Sequence, residues 1–334
     1  MKNRIISFDV IRGLSAISVM LYHYTCRYNE IPELQSSSTD FEFSITWGFA
    51  AVSSFFILSG FFSARQLYDN QAYKWGYIIN RLKRLYPAFF ISVFITFITT
   101  RLFLPELSCS YKDFILNLSM IPGPLGAKPV DSAYWTLFVE WIFYFFVAAL
   151  LIKPNKKITN MSLILWMIIS ICSYLIAGSS PSGVFRVINY CLVTSYSSCF
   201  VTGIALYLFA KKKHDYYTYI YISLAFINVF LWQNTPNIIF YFLTCVLVFV
   251  FTHVDIEDKL ANNRLARICA WYGKISYPFY LLHQVVGYVI IFYLVEAGFN
   301  KAVILLVPFI IITLSAYLIN KCSNLLFQKK YNSK

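Results

Sequence analysis

The sequence predicts an all-α polytopic membrane protein of about ten transmembrane helices with both termini cytoplasmic, and three observations carry that reading. Hydrophobic residues fill 59% of the 334 positions and charged residues only 13%, about half the charged share of a soluble domain. The mean hydropathy is +0.62. The apolar residues fall into runs near the ~20 residues that cross a bilayer, and the basic residues collect between alternate runs, as the positive-inside rule requires.

The runs come in order at roughly 8–26, 45–64, 86–104, 134–152, 161–178, 187–210, 216–233, 237–253, 275–295 and 302–320. With the N-terminus inside, 21 of the 28 Lys and Arg residues fall in inner segments, from Lys2 and Arg4 to Lys329, Lys330 and Lys334. Six fall in outer loops: Arg27, Arg101, Lys112, Lys128, Arg186 and Lys301. An odd count of spans would put the Lys-rich C-terminus outside. Nearly every residue is used in spans and short loops, so one integral domain over 1–334 is expected, with no appended soluble domain. The first run follows Met1–Arg4 directly and lacks a small-residue cleavage site, which marks a retained helix rather than a removed signal peptide.

The net charge of +13 belongs to topology. The cations lie between spans rather than along one solvated face, which argues against a nucleic-acid partner. The eight Cys residues form no CxxC pair and read as small apolar packing residues, so no metal site or disulfide framework is expected. Cys26 and Cys109 share the outer side and are the pair open to a bridge. The two long outer loops are 27–44, with Glu30, Glu33, Asp40 and Glu42, and 105–133. In the second, Tyr111–Met120 is amphipathic enough to lie in the interface. Pro122, Gly123, Pro124 and Gly126 then stop any helix.

Chemistry is expected where ionisable groups enter the spans, because such groups are costly there and face protein or water. The first span carries Arg12 and His23. An offset of eleven residues is three helical turns plus roughly 20°, so both side chains share a face about 16 Å apart along the axis. A cation at the mouth and an imidazole at mid-depth suit an anionic ligand with a reactive end. Arg81 and Arg84, spaced i,i+3, share a face and offer two guanidinium forks for phosphate; positive-inside anchoring explains them equally. Glu140 lies one and a half turns into the fourth span and needs a partner, a proton or a wet cavity. The Ser59-Gly60 step suits close helix packing or the approach of a ligand. His283 sits near mid-depth after Pro278, which is expected to kink or open that helix. His253 is expected at the interface, and His214, beside three Lys, in solvent. No GxSxG elbow, Walker loop or HExxH motif is present.

Five of these segments, in order, resemble the membrane-bound acyltransferase-3 family, which includes O-acetyltransferases of bacterial O-antigens, capsules and Nod factors. Arg12 through His23 resembles its Arg-x10-His segment, and Phe55-Phe56-Ile57-Leu58-Ser59-Gly60-Phe61-Phe62 its second-span motif. Arg81-x-x-Arg84-Leu85-Tyr86-Pro87 resembles its Arg-x-x-Arg-x-x-Pro element. Trp135 to Glu140, then Phe143-Tyr144, resembles its Trp-Ser-Leu-Ser-x-Glu segment, and Ser276-Tyr277 to His283 its late Ser-Tyr-x-x-Tyr-Leu-x-His segment. Thr136 and Phe138 stand where the family usually has Ser, Trp141 where it often has a second acid, and Pro278 where a small residue is common.

The resemblance implies acyl transfer from a cytoplasmic acyl-CoA, acetyl-CoA by default, to a hydroxyl of a cell-surface or lipid-linked carbohydrate. The chain would be a multi-pass protein of the bacterial inner membrane. Acyl-CoA is a co-substrate, and no cofactor is bound permanently. Arg12, Arg81 and Arg84 would hold the CoA phosphates. His23 would act as general base, with an acyl-His intermediate as the competing mechanism. Glu140 would orient His23 or bind the sugar, and Ser59, Trp135 and His283 would contact substrate. The alternative from another class is a transporter or flippase of lipid-linked saccharide. It explains the spans and their charges but not the clustered inner Arg residues in line with His23.

Overall fold

The structure, a computed structural model, describes residues 5–37, 39, 41, 43–70 and 74–331. Lys2, Arg4, Asp40, Glu42 and Lys334 lie outside the described residues, as do the side chains of Lys74, Lys329 and Lys330. Among the described residues every regular element is helical. The α-helices are α1 (Ile6–Thr25), α2 (Val52–Arg65), α3 (Lys74–Phe103), α4 (Tyr111–Asn117), α5 (Trp135–Leu150), α6 (Lys156–Ala177), α7 (Gly183–Leu192), α8 (Ser197–Ala210), α9 (Tyr216–Trp232), α10 (Thr235–His253), α11 (Glu257–Asn262), α12 (Arg264–Leu282), α13 (Val285–Glu296) and α14 (Lys301–Tyr331). Short 3-10 turns fill the loops, and a π turn over Gln66–Asn70 extends α2.

All ten apolar runs become helix, but they do not all pass as spans. Among the described residues six helices are long and apolar enough to cross a membrane, or eight if α7–α8 and α12–α13 each count as one bent span. The difference from ten lies in α9 and α1. α9 is apolar but has 17 residues, about 25 Å against a core near 30 Å. α1 has 20 residues and carries Asp9 and Arg12. Long apolar faces point away from the protein, as on α14, where Leu306, Leu314 and Leu318 are 56–58% exposed. Such faces are rare on soluble proteins.

The sixth and ninth runs are broken rather than continuous. α7 and α8 meet at 48°, and α12 and α13 at 73°. The first break turns at Val193, whose φ of 44° is left-handed. Its freed carbonyls take side-chain donors: Trp166 to Leu192 O at 2.7 Å, Ser170 to Thr194 O at 2.6 Å, and Gln233 to Ser195 O. Non-helical backbone at membrane depth is tolerated only when satisfied in this way. Pro278 does not mark the second break. It sits inside α12, which continues to Leu282, and the chain opens five residues later at His283-Gln284.

The chain divides into two compact units. Unit 1 is Met1–Ile11, Ala50–Asn80 and Val139–Ala270. In it α2 crosses α8 at close range, each helix placing a glycine against the other's backbone. A Cβ at Gly60 would lie 2.1 Å from Phe200 O, and one at Gly203 2.0 Å from Ile57 O. The Ser59-Gly60 step is therefore a helix-packing site. Phe143 and Phe200 stack beside it at 4.1 Å. Glu257 of α11 caps the start of α1, accepting from Ile6 N at 2.7 Å and Ser7 N at 3.2 Å. An acid at a helix N-terminus also complements the helix dipole.

Unit 2 is Arg12–Phe49, Arg81–Phe138 and Trp271–Lys334. Its loop 105–131 is ordered by Asn117, which donates to Asp113 O and Lys128 O and accepts from Val130 N. The amphipathic segment forms as α4, shorter than Tyr111–Met120. Cys26 and Cys109 are both free thiols, so the bridge left open between them is absent.

Candidate active site

α1 is unbroken from Ile6 to Thr25, so the spacing argument for Arg12 and His23 holds: one face, about 16 Å along the axis. Arg12 is half-buried and His23 is half-buried. Arg81 and Arg84 both lie on α3 and share unit 2 with them. Arg81 is half-buried and Arg84 exposed.

The late histidine comes to the early one. The rings of His23 and His283 meet edge to face with centroids 4.9 Å apart. His283 Nδ1 lies 2.6 Å from Tyr280 O. A carbonyl only accepts, so Nδ1 carries the proton and the lone pair of neutral His283 is on Nε2. That Nε2 is fully enclosed and has no partner among the described residues. His23 Nδ1 lies 2.9 Å from the hydroxyl of Tyr288, on α13.

The break between α12 and α13 makes this meeting, and a short stretch before α5 clasps it. Tyr134 donates to Leu281 O at 2.9 Å, and Asp131 accepts from Val285 N at 3.1 Å and Ala133 N at 2.8 Å. Gln284 donates to Ser132 Oγ at 2.6 Å, and Tyr280 to Ala133 O at 3.1 Å. Thus one backbone group on each side of the opening, Leu281 O and Val285 N, has a side-chain partner. Asp131 lies outside the spans and is fully buried. Burial pushes its carboxyl up to about 7, against the pull of the Ala133 and Val285 N–H groups.

Glu140 is held within unit 1. Its Oε1 accepts from Ser59 Oγ at 2.6 Å and from the hydroxyl of Tyr144 one turn along α5. Its Oε2 engages no partner among the described residues, and the residue is half-buried. A carboxylate with one oxygen tied and the other open is an oriented acceptor. Trp135 begins α5 and is 44% exposed. His253 ends α10 and bonds to Phe249 O and Thr252 Oγ1. His214 is exposed and stacks on Phe209. No group of three or more His, Cys, Asp or Glu that would hold a metal occurs among the described residues.

The structure sets His23 beside His283, and Ser59 on Glu140, two pairings the sequence reading did not make. That reading missed Tyr288 and Asp131, and it placed Tyr144 in the segment that begins at Trp135 without giving it a role. Tyr144 was within reach, since it is four residues after Glu140 and so on the same helical face. Tyr288 left one signal: a buried phenol in an apolar span needs a partner for its hydroxyl. No curated protein and no solved structure matches the chain. Residues 5–320 match the family model described as an acyltransferase domain, from the start of α1 well into α14, and the chain belongs to the acyltransferase-3 family.

Proposed function

We propose that this membrane acyltransferase carries an acyl group, acetyl first, from a cytoplasmic acyl-CoA to a hydroxyl of a cell-surface or lipid-linked carbohydrate. We place it in the bacterial inner membrane, with ten spans and both termini cytoplasmic. The observation that carries the reading is the uninterrupted α1, which sets the Arg12 cation and the His23 imidazole in line. Their separation is of the order of an extended pantetheine arm. Arg12, Arg81 and Arg84 bind the CoA phosphates, and the thioester reaches His23. His23 takes the proton of the acceptor hydroxyl as that oxygen attacks the thioester carbonyl, a role a neutral imidazole fills near neutral pH. The water-poor interior limits thioester hydrolysis. Glu140 offers Oε2 to a substrate hydroxyl or N–H, with Ser59 fixing its other oxygen.

The two broken spans favour one competitor, since discontinuous helices often build transporter sites. A flippase of lipid-linked saccharide needs no thioester and tolerates loss of an imidazole base. The test uses membranes with matched amounts of wild type and His23→Ala, given acetyl-labelled CoA and lipid-linked glycans, with label followed into the glycan by mass spectrometry. Transfer by the wild type alone supports the proposal. Equal transfer by both removes His23 from the chemistry. No transfer by either, with saccharide translocated into vesicles, replaces the proposal with the flippase.

A further inference from the structure

Tyr288 is fully buried in an apolar stretch of α13. Its hydroxyl has one partner among the described residues, Nδ1 of His23 at 2.9 Å. Leaving a hydroxyl in an apolar interior is costly without a hydrogen bond, and phenylalanine would fill the same volume.

The mounting of this phenol is tighter than packing alone requires. The residue before it, Gly287, faces the residue after His23. A Cβ at Gly287 would lie 2.3 Å from Tyr24 Oη and 2.7 Å from Tyr24 Cε1. The Tyr24–Gly287 approach therefore fixes the register of α13 on α1 one residue from the His23–Tyr288 bond. Tyr28 packs its ring edge to face on Tyr288 at 5.5 Å, and its own hydroxyl is 2.8 Å from Ser37 Oγ. One turn earlier, Asp131 ties the first amide of α13. Helix, ring and hydroxyl are each held by a different neighbour.

We propose that Tyr288 is the positioning residue of His23: its hydroxyl holds Nδ1 and leaves Nε2 as the reacting nitrogen. The inference rests on the acyl-transfer reading above. For Nε2 to act as base, Nδ1 carries the ring proton and donates it to the Tyr288 oxygen. The acceptor O–H gives its proton to Nε2 while its oxygen bonds to the thioester carbonyl carbon. The imidazolium so formed keeps Tyr288 as its acceptor, and that bond strengthens as the charge appears. The C–S bond then breaks, and the leaving thiolate takes the proton from Nε2. The ring returns to its starting tautomer, and the phenol is neither consumed nor ionised.

The test compares full-length wild type with Tyr288→Phe, which removes one oxygen and keeps the ring. Transfer is assayed with acetyl-CoA and lipid-linked glycan extract, over pH. Reaction of His23 with diethyl pyrocarbonate, read by peptide mass spectrometry over pH, gives a second readout that needs no acceptor. Tyr288→Phe is expected to keep its KM for acetyl-CoA within about twofold and lose about 10- to 100-fold in kcat, the scale of a misplaced catalytic group. Its kcat–pH profile and its His23 modification midpoint are expected to move together. A Tyr288→Phe chain with wild-type kcat and an unmoved modification midpoint overturns the positioning role while leaving acyl transfer standing. A wild type that transfers no label, with the midpoint moved in Tyr288→Phe, overturns the reaction but keeps the contact as a control on His23. A loss in kcat with both profiles unmoved overturns the inference in favour of packing alone.

Discussion

At the scale of single residues, a polar group in a helix is aimed by the few side chains that bond to it. Glu140 is the clearest case, since one of its oxygens takes both Ser59 and Tyr144. Removing one donor leaves the other, so Ser59→Ala is expected to cost about 1 kcal/mol, roughly fivefold in kcat/KM. Ser59→Ala with Tyr144→Phe is expected to cost more than the two single changes combined, because the carboxylate then has nothing to orient it. Initial rates of label transfer to glycan check both; a double variant equal to Ser59→Ala would show that Tyr144 does not hold the carboxylate. Arg84 is exposed, so Arg84→Ala is expected to insert normally and raise KM for acetyl-CoA severalfold with kcat little changed. Unchanged KM would remove Arg84 from the CoA site.

At the scale of elements, two junctions decide the fold. The α2–α8 crossing depends on Gly60 and Gly203, and Gly203→Ala drives a methyl group into the Ile57 carbonyl. Overpacking of that kind costs about 1–3 kcal/mol, visible as a lower melting temperature in detergent; an unshifted melt would mean that α2 and α8 are free to separate. The α12–α13 break depends on Asp131. Its carboxyl is raised from 3.8 to about 7 in the folded chain, so the folded state holds a proton that the unfolded chain releases. Stability from this group is therefore full below about pH 4 and lost as pH rises to about 7, by up to about 4 kcal/mol. Asp131→Asn cannot titrate, and the difference in melting temperature between it and the wild type is expected to change across that window. A constant difference would show that Asp131 is already ionised at pH 5.

At the scale of the whole molecule, much was legible before any coordinates. The runs became helices, and the motif order from Arg12 to His283 identified the family. What was not legible depended on pairing across long stretches of chain. His23 and Tyr288 are 265 residues apart, and nothing in either segment names the other. Pro278 pointed to a kink in its own helix, but the opening fell at His283-Gln284, where Asp131 and Tyr134 supply the partners a break needs. The number of crossings turns on α1 and α9. In a chain whose eight native cysteines are replaced, Lys212→Cys and Thr235→Cys flank α9. Ten spans require a membrane-impermeant maleimide to reach Thr235→Cys from outside and Lys212→Cys only after permeabilisation. Labelling of both from one side would mean that α9 does not cross.

The cap that Glu257 places on α1 also sets an order in time. α1 leaves the ribosome ahead of the other described helices, but the carboxylate that completes its N-terminus is made about 250 residues later. At ~5–20 residues per second, that is roughly 10–50 s. Throughout that interval the helix bearing His23 is in place without its cap, and Tyr288 is later still. Among the described helices α1 is made first and completed among the last, so a partly made chain carries the His23 imidazole without Glu257 at the helix start or Tyr288 at the ring.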